Sequence, residues 1–265
     1  IQGVRAMAYR IEAACGCNIG LRRTNNEDNF IFDNRILPKV NKGLKASVVT
    51  EQELRRELIY GVFDGMGGES YGEEASFLAA ATAKNSEKLL ADFIYPPKKY
   101  LTDLIAQMNE EVCRKSEALG SGRMGSTAVL LYLNERFAYI CNVGDSRAFR
   151  LHRDGLQQIS QDHTDAAFLA AQGVVGRKPS LTQHLGIWPE EMILEPYVAK
   201  GELEEGDQYL LCSDGLTDMV SNVEICAIMK EAPDAGACVD RLIAAALEAG
   251  GRDNVTAISV RIKKL

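Results

Sequence analysis

Tyr60-Gly-Val-Phe-Asp-Gly-Met-Gly-Gly68 carries an apolar run as far as Asp64 and then turns glycine-rich. Tyr60 to Phe63 read as the end of a β-strand bounded by turn residues. Gly65, Gly67 and Gly68 bring no Cβ, so the chain can turn sharply and the Asp64 carboxylate and nearby carbonyl oxygens can approach one small ligand. A hard cation suits that description. An ordinary strand-to-helix turn capped by Asp64 suits it as well, so the meaning of Asp64 depends on the other acids the chain supplies.

Upstream, Tyr9 to Asn18 has strand character, and a polar, glycine-led turn from Gly20 to Asn29 precedes a strand at Phe30 to Asp33. Asn34 to Glu57 reads as a surface excursion with a short helical piece around Glu51 to Leu58. Downstream, Glu73 to Phe93 repeats Ala, Leu and Phe at helical spacing, and Leu101, Leu104, Ile105, Met108 and Val112 mark a second helix beyond Pro96-Pro97. Ser126 to Leu133, Phe137 to Val143, Ala148 to Leu151 and Leu156 to Ser160 predict a four-strand antiparallel meander. A short helix at 164–172 opens a segment, 165–186, expected to act as a flap. Strands at Met192 to Ala199 and Gln208 to Cys212, two helices over 223–231 and 235–249, and a last strand at Val255 to Ile262 complete the chain. Strand runs alternate with paired helices and not with single ones, which gives an α+β class and not a βαβ fold.

Four turns at strand edges then present acids: Glu27-Asp28, Asp64-Gly65, Asp214-Gly215 and Asp253-Asn254. Carboxylates gathered in a partly buried cleft repel one another unless a cation neutralises them. Oxygen-only donors with no His or Cys among them favour Mg²⁺ or Mn²⁺ over zinc. Any one of these turns could be only a cap or an Asx turn; four of them make a common site the better reading. Arg22 and Arg23 precede Glu27-Asp28, and a guanidinium beside a metal cluster can hold a phosphate through two parallel hydrogen bonds.

The chain has 265 residues, 46% hydrophobic and 25% charged, enough for one sizeable core, and we expect one domain over 1–265. A net charge of −7 with no basic block argues against broad nucleic-acid or anionic-membrane binding. No apolar run approaches the ~20 residues that cross a bilayer. Seven cysteines without a regular framework read as core thiols of a reducing, cytoplasmic protein. Nothing in the sequence calls for more than a monomer.

From about Tyr9 to Ile262 the chain resembles the type 2C metal-dependent serine/threonine protein phosphatases, in their compact bacterial form. The resemblance rests on Arg23-Thr-Asn-Asn-Glu-Asp-Asn29, Asp64-Gly-Met-Gly-Gly68, Gly125-Ser-Thr127, Gly144-Asp-Ser-Arg147, Gln161-Asp-His163, Leu181-Thr-Gln-His-Leu-Gly186, Cys212-Ser-Asp-Gly215 and Asp253-Asn254, in the family's order. It implies a four-layer α/β/β/α sandwich, two antiparallel sheets flanked by helices, with a two-metal site at one end. By motif position Asp64 would bridge both ions, Asp214 and Asp253 would complete one, and Glu27 with the Gly65 carbonyl would hold the other. Asp28 would orient metal-bound water and Arg23 would bind the phosphate. Attack by a metal-activated water on phosphoserine or phosphothreonine, with no phosphoenzyme, is the implied chemistry, on phosphoprotein substrates of a serine/threonine kinase.

This chain departs from the pattern in places. Met66 stands where many eukaryotic members have a histidine proposed as general acid, so the leaving group would take its proton from water. Bacterial members often supply an acid shortly before the Gly-Ser/Thr-Thr motif for a third metal, and Gly120 to Met124 contains none, which leaves a third ion without that ligand. Asp145 reads as a turn-tightening residue, Asp162 as an anchor before the flap, and His163 and His184 as structural. Two other readings stay open on the sequence: a silent phosphoprotein-binding domain of the same fold, and a hydrolase of small phosphorylated metabolites.

Overall fold

A computed structural model of the chain describes residues 9–67, 71–90, 96–120 and 124–265. Two antiparallel sheets form its centre. In the first, β3 (Val48–Glu53), β1 (Tyr9–Asn18), β12 (Val255–Lys264), β11 (Gln208–Cys212), β8 (Arg147–His152) and β9 (Gly155–Gln158) lie side by side in that order. The second runs β10 (Tyr197–Glu202), β7 (Phe137–Val143), β6 (Ala128–Leu133), β4 (Leu58–Gly67) and β2 (Asp28–Ile31), with β5 (Met124–Ser126) paired to the end of β4.

Strand alternation explains why both sheets are apolar on both faces. In β4, Tyr60 and Val62 face the other sheet, where they join Leu131, Tyr209, Ile258 and Val260 in the inter-sheet core. Ile59 and Phe63 face outward, beneath α1 (Gly72–Leu90) and α2 (Pro97–Leu119), and meet Ala75, Ala79, Ala83, Leu104 and Met108. The alanines let α1 lie close to the sheet. Pro97 opens α2 at its first position, where a missing N–H costs nothing. On the opposite side, α5 (Asn222–Glu231) and α6 (Ala235–Glu248) bring Ile225, Met229, Val239 and Leu242 onto the outer face of β1, β11 and β12. The four-layer α/β/β/α order expected from the resemblance is the one observed.

Several local readings change. The stretch read as helical near Glu51 belongs to β3, whose Val48-Val49-Thr50 start favours a strand and whose residues alternate in exposure as an edge strand paired to β1. The predicted four-strand meander is divided between the sheets: β6 and β7 pair in one, β8 and β9 in the other, and the chain crosses over at Gly144-Asp145-Ser146. Gly144 makes that crossing at φ +98°, where a side chain would be strained. β4 does not stop at Asp64 but continues to Gly67 by pairing with β5. The short helix expected at 164–172 is α3 (Ala166–Ala171), and the strand expected from Met192 begins at Tyr197, where pairing with β7 starts. The predicted end of the first helix, at Phe93, lies outside the described residues.

Because the inter-sheet layer is filled by fully buried side chains, Leu131→Ala should lower the unfolding free energy by about 2–5 kcal/mol. Urea denaturation followed by circular dichroism checks this; a loss below about 1 kcal/mol would show that the layer closes around the gap.

Candidate active site

The acids come together at one end of the sandwich, and strand register is what brings them there. Asp28 opens β2 directly opposite Asp64 on β4. In the other sheet Cys212 at the end of β11 pairs with Ala257 near the start of β12, so Asp214 and Asp253 leave that sheet at its matching end. Asp214 opens the one-turn helix α4 (Asp214–Thr217). Asn254 fixes the Glu27 loop: its Oδ1 accepts the Glu27 N–H at 2.7 Å, and its Nδ2 donates to the Ile19 and Asn25 carbonyls. Arg23, Glu27, Asp64, Gly65, Asp145, Lys178, Asp214 and Asp253 all line one cavity of about 280 Å³.

Backbone forms part of the cavity wall. Gly65 N–H donates to the Glu27 carbonyl at 3.0 Å, and a Cβ on Gly65 would lie 2.0 Å from the Gly72 carbonyl oxygen. Only glycine fits there. Asp64 is held by its main chain, its N–H donating to Thr127 Oγ1 at 3.0 Å and its carbonyl accepting the Thr127 N–H at 2.8 Å. No described residue donates a hydrogen bond to its carboxylate.

The site is electrostatically crowded. Burial, then Asp28 and Asp214, push Asp64 well above the ordinary carboxylate range. Asp28 is pushed up to about 7, chiefly by burial; hydrogen bonds from Thr256 and Ser213 oppose the shift, and Asp214 and Asp253 add to it. Burial followed by Asp214 raises Asp145 to about 6, and burial raises Glu27. Two side-chain cations stand at the edges. Arg23 Nη2 donates to Asp253 Oδ2 at 2.7 Å, and its Nη1 lies 3.9 Å from Glu27 Oε2. Lys178 Nζ donates to Asp214 Oδ2 at 2.6 Å and to Asp218 Oδ2 at 2.7 Å.

Every sequence-predicted site residue therefore reaches this end of the molecule: Arg23, Glu27, Asp64, Gly65, Asp214 and Asp253 line the cavity, with Asp28 behind them. Asp145, read as a turn residue, lines it too. The crossover between sheets carries Asp145 there, and the sequence gives no sign of that crossover. Lys178 was also missed, because its segment has no periodicity. Asp162, read as an anchor ahead of 165–186, accepts a two-pronged bond from Arg147. His163 Nδ1 accepts the Gly144 N–H at 3.2 Å, and His184 Nδ1 lies 2.8 Å from the Leu185 carbonyl, so both histidines bind backbone.

The donor set fits hard divalent cations. It is all oxygen, burial and then neighbouring acids raise Asp28, Asp64 and Asp145, and Asp28 Oδ1 is buried with no hydrogen-bond partner among the described residues. Among the described residues no three acids already converge as a closed cage, and Asp214 and Asp253 are each paired with a side-chain cation.

The protein phosphatase 2C profile matches residues 18–167. The serine/threonine phosphatase stp of Listeria monocytogenes is 30% identical over 214 residues, covering 75% of this chain and 82% of that protein. The crystal structure of the Mycobacterium tuberculosis serine/threonine phosphatase PstP superposes with a TM-score of 0.77 at 26% identity, over 96% of this chain and 99% of that one. A second PstP structure, of the catalytic domain in complex with two manganese ions, gives the same TM-score and identity over 97% and 100% of the two chains. Matched to that profile over more than half its length, the chain belongs to the protein phosphatase 2C family.

Proposed function

We propose that the protein hydrolyses phosphoserine and phosphothreonine in proteins, with Mn²⁺ or Mg²⁺ held by Glu27, Asp64, the Gly65 carbonyl, Asp214 and Asp253. The observation that carries this reading is the convergence of these acids from separate loops and strands of both sheets on one cavity with Arg23 at its edge. Bound there, two cations would supply Lewis acidity at the phosphoryl oxygens and would make the attacking water more acidic. Arg23 is placed to swing from Asp253 to the phosphoryl group, where its paired N–H donors match two oxygens. Asp28 orients the water, whose oxygen forms the new bond to phosphorus as the bond to the serine or threonine oxygen breaks. Met66 holds no transferable proton, so the leaving alkoxide is protonated from solvent. Asp145, facing Asp214, is a further cation ligand in this reading and stands in for the acid missing before Gly125.

The relatives' names as serine/threonine phosphatases support activity over a silent binding domain. Substrates of a serine/threonine kinase, action as one domain and a monomer, and a cytoplasmic setting for the unpaired thiols belong to the same proposal. Release of phosphate from a phosphothreonine peptide, titrated with Mn²⁺ and Mg²⁺ and quenched by EDTA, is the direct test. Asp214→Asn should lose at least a hundredfold in kcat. Wild-type activity confined to sugar phosphates or nucleotides would favour the metabolite reading, and none with any phosphoester would favour the silent domain.

Lys178 competes for Asp214 with an incoming cation. Its side chain is 57% exposed, so the effect is screened, and Lys178→Met should tighten Mn²⁺ binding by about three- to tenfold in calorimetry. An unchanged affinity would show that the lysine leaves Asp214 at no cost.

Without metal, the raised carboxylates make stability depend on pH. Asp28 titrates near 7 in the folded chain against about 3.9 unfolded, so folding favours its protonated form. That contribution is full below about pH 4 and is lost as pH rises through about 7. The Tm of EDTA-treated protein should fall over this window, and Asp28→Asn should flatten part of the fall; an identical slope in the variant would rule out Asp28 as a source.

A further inference from the structure

We propose that Ser213 and Thr256 are positioning residues for Asp28, fixing one of its carboxylate oxygens so that the other is presented to the reacting water. The proposal rests on the phosphatase reading above. Ser213 Oγ donates to Asp28 Oδ2 at 2.7 Å, and Thr256 Oγ1 donates to the same oxygen at 2.6 Å. The two hydroxyl residues are locked to each other: Thr256 N–H donates to Ser213 Oγ at 3.0 Å, and Ser213 N–H donates to the Thr256 carbonyl at 3.1 Å. Asp28 Oδ1 has no hydrogen-bond partner among the described residues.

The direction of the clamp matters. Asp28 belongs to β2 in one sheet, whereas Ser213 follows β11 and Thr256 lies on β12 in the other. Both hydroxyls therefore reach across the sandwich, and the Asp28 carboxylate is oriented by the sheet that also carries Asp214 and Asp253. A ring of contacts closes behind them: Thr256 Oγ1 lies 3.1 Å from Cys17 Sγ, Asn26 Nδ2 donates to that sulfur at 3.2 Å, and Asn26 Oδ1 accepts the Asp28 N–H at 3.3 Å. All five side chains are essentially without solvent contact. A carboxylate needs only one donor per lone pair to be satisfied; two donors on Oδ2 and none on Oδ1 is an asymmetric arrangement, suited to holding an oxygen ready for a partner from outside the chain.

Thr256→Val keeps the shape and removes the hydroxyl, and Thr256→Ser keeps the hydroxyl. With the phosphothreonine peptide, kcat for Thr256→Val should fall by about ten- to a hundredfold while KM stays within about twofold, and Thr256→Ser should return to within about threefold of wild type. Ser213→Ala should behave like Thr256→Val and covers the case in which the valine variant does not fold. Added to Asp28→Asn, Thr256→Val should cost nothing more, because the group it orients is already gone. Wild-type kcat in both Thr256→Val and Ser213→Ala would overturn the proposal, as would a serine variant no better than valine or full additivity with Asp28→Asn. A wild-type protein inactive on every phosphopeptide would overturn the phosphatase reading and this one with it.

Discussion

Like charges forced together at the end of two stacked sheets are the constraint on which the rest of this structure depends. Burying Asp28, Asp64 and Asp145 near Asp214 and Asp253 costs free energy that no side-chain contact in the cavity fully returns. The fold tolerates it because the acids stand on strand ends and short loops held by main-chain bonds, such as the reciprocal pair between Asp64 and Thr127. The three apolar layers carry the stability and the strand ends carry the strain. Arg23 and Lys178 each relieve it at one edge, through direct contacts to Asp253 and to Asp214 and Asp218.

The segment carrying Lys178 is fastened at both ends. Arg147 forks onto Asp162 just before it, and Asp165 bonds Ser180 in both directions across its base. Thr164 and Leu181 bridge beneath that closure. Between those ties the chain from 172 to 180 has no regular structure, Val175 projects into solvent, and Arg177 folds back to donate to Ser180 Oγ. A loop held in this way offers its lysine to the acids without belonging to either sheet.

How far the sequence could be read follows from where information is local. Asp64, Asp214 and Asp253 were legible because each follows or precedes a strand-like run and sits beside Gly or Asn, a pattern confined to a few residues. The α1 and α6 spans were legible because their apolar spacing repeats over several turns. The split of the meander was not, since β7 and β8 both read as strands joined by a short turn and nothing local says which sheet each joins; the role of Asp145 was hidden with it. β3 was hidden because an edge strand exposes alternate residues, and Glu51 and Glu53 there resemble a helix surface. Asn254 and Thr256 act through partners more than two hundred residues away, and no window along the chain contains both ends of such a contact.

The bonds from Ser213 and Thr256 to Asp28 have a mechanical corollary. Because they cross from one sheet to the other, the catalytic end works as a gauge of how the two sheets are registered in the direction of sliding. A shear between the layers lengthens and bends two short hydrogen bonds at the reaction centre, and hydrogen bonds weaken steeply with angle. Slippage deep in the sandwich would therefore be transmitted to the reaction centre, and interior substitutions that leave the molecule folded can still detune it.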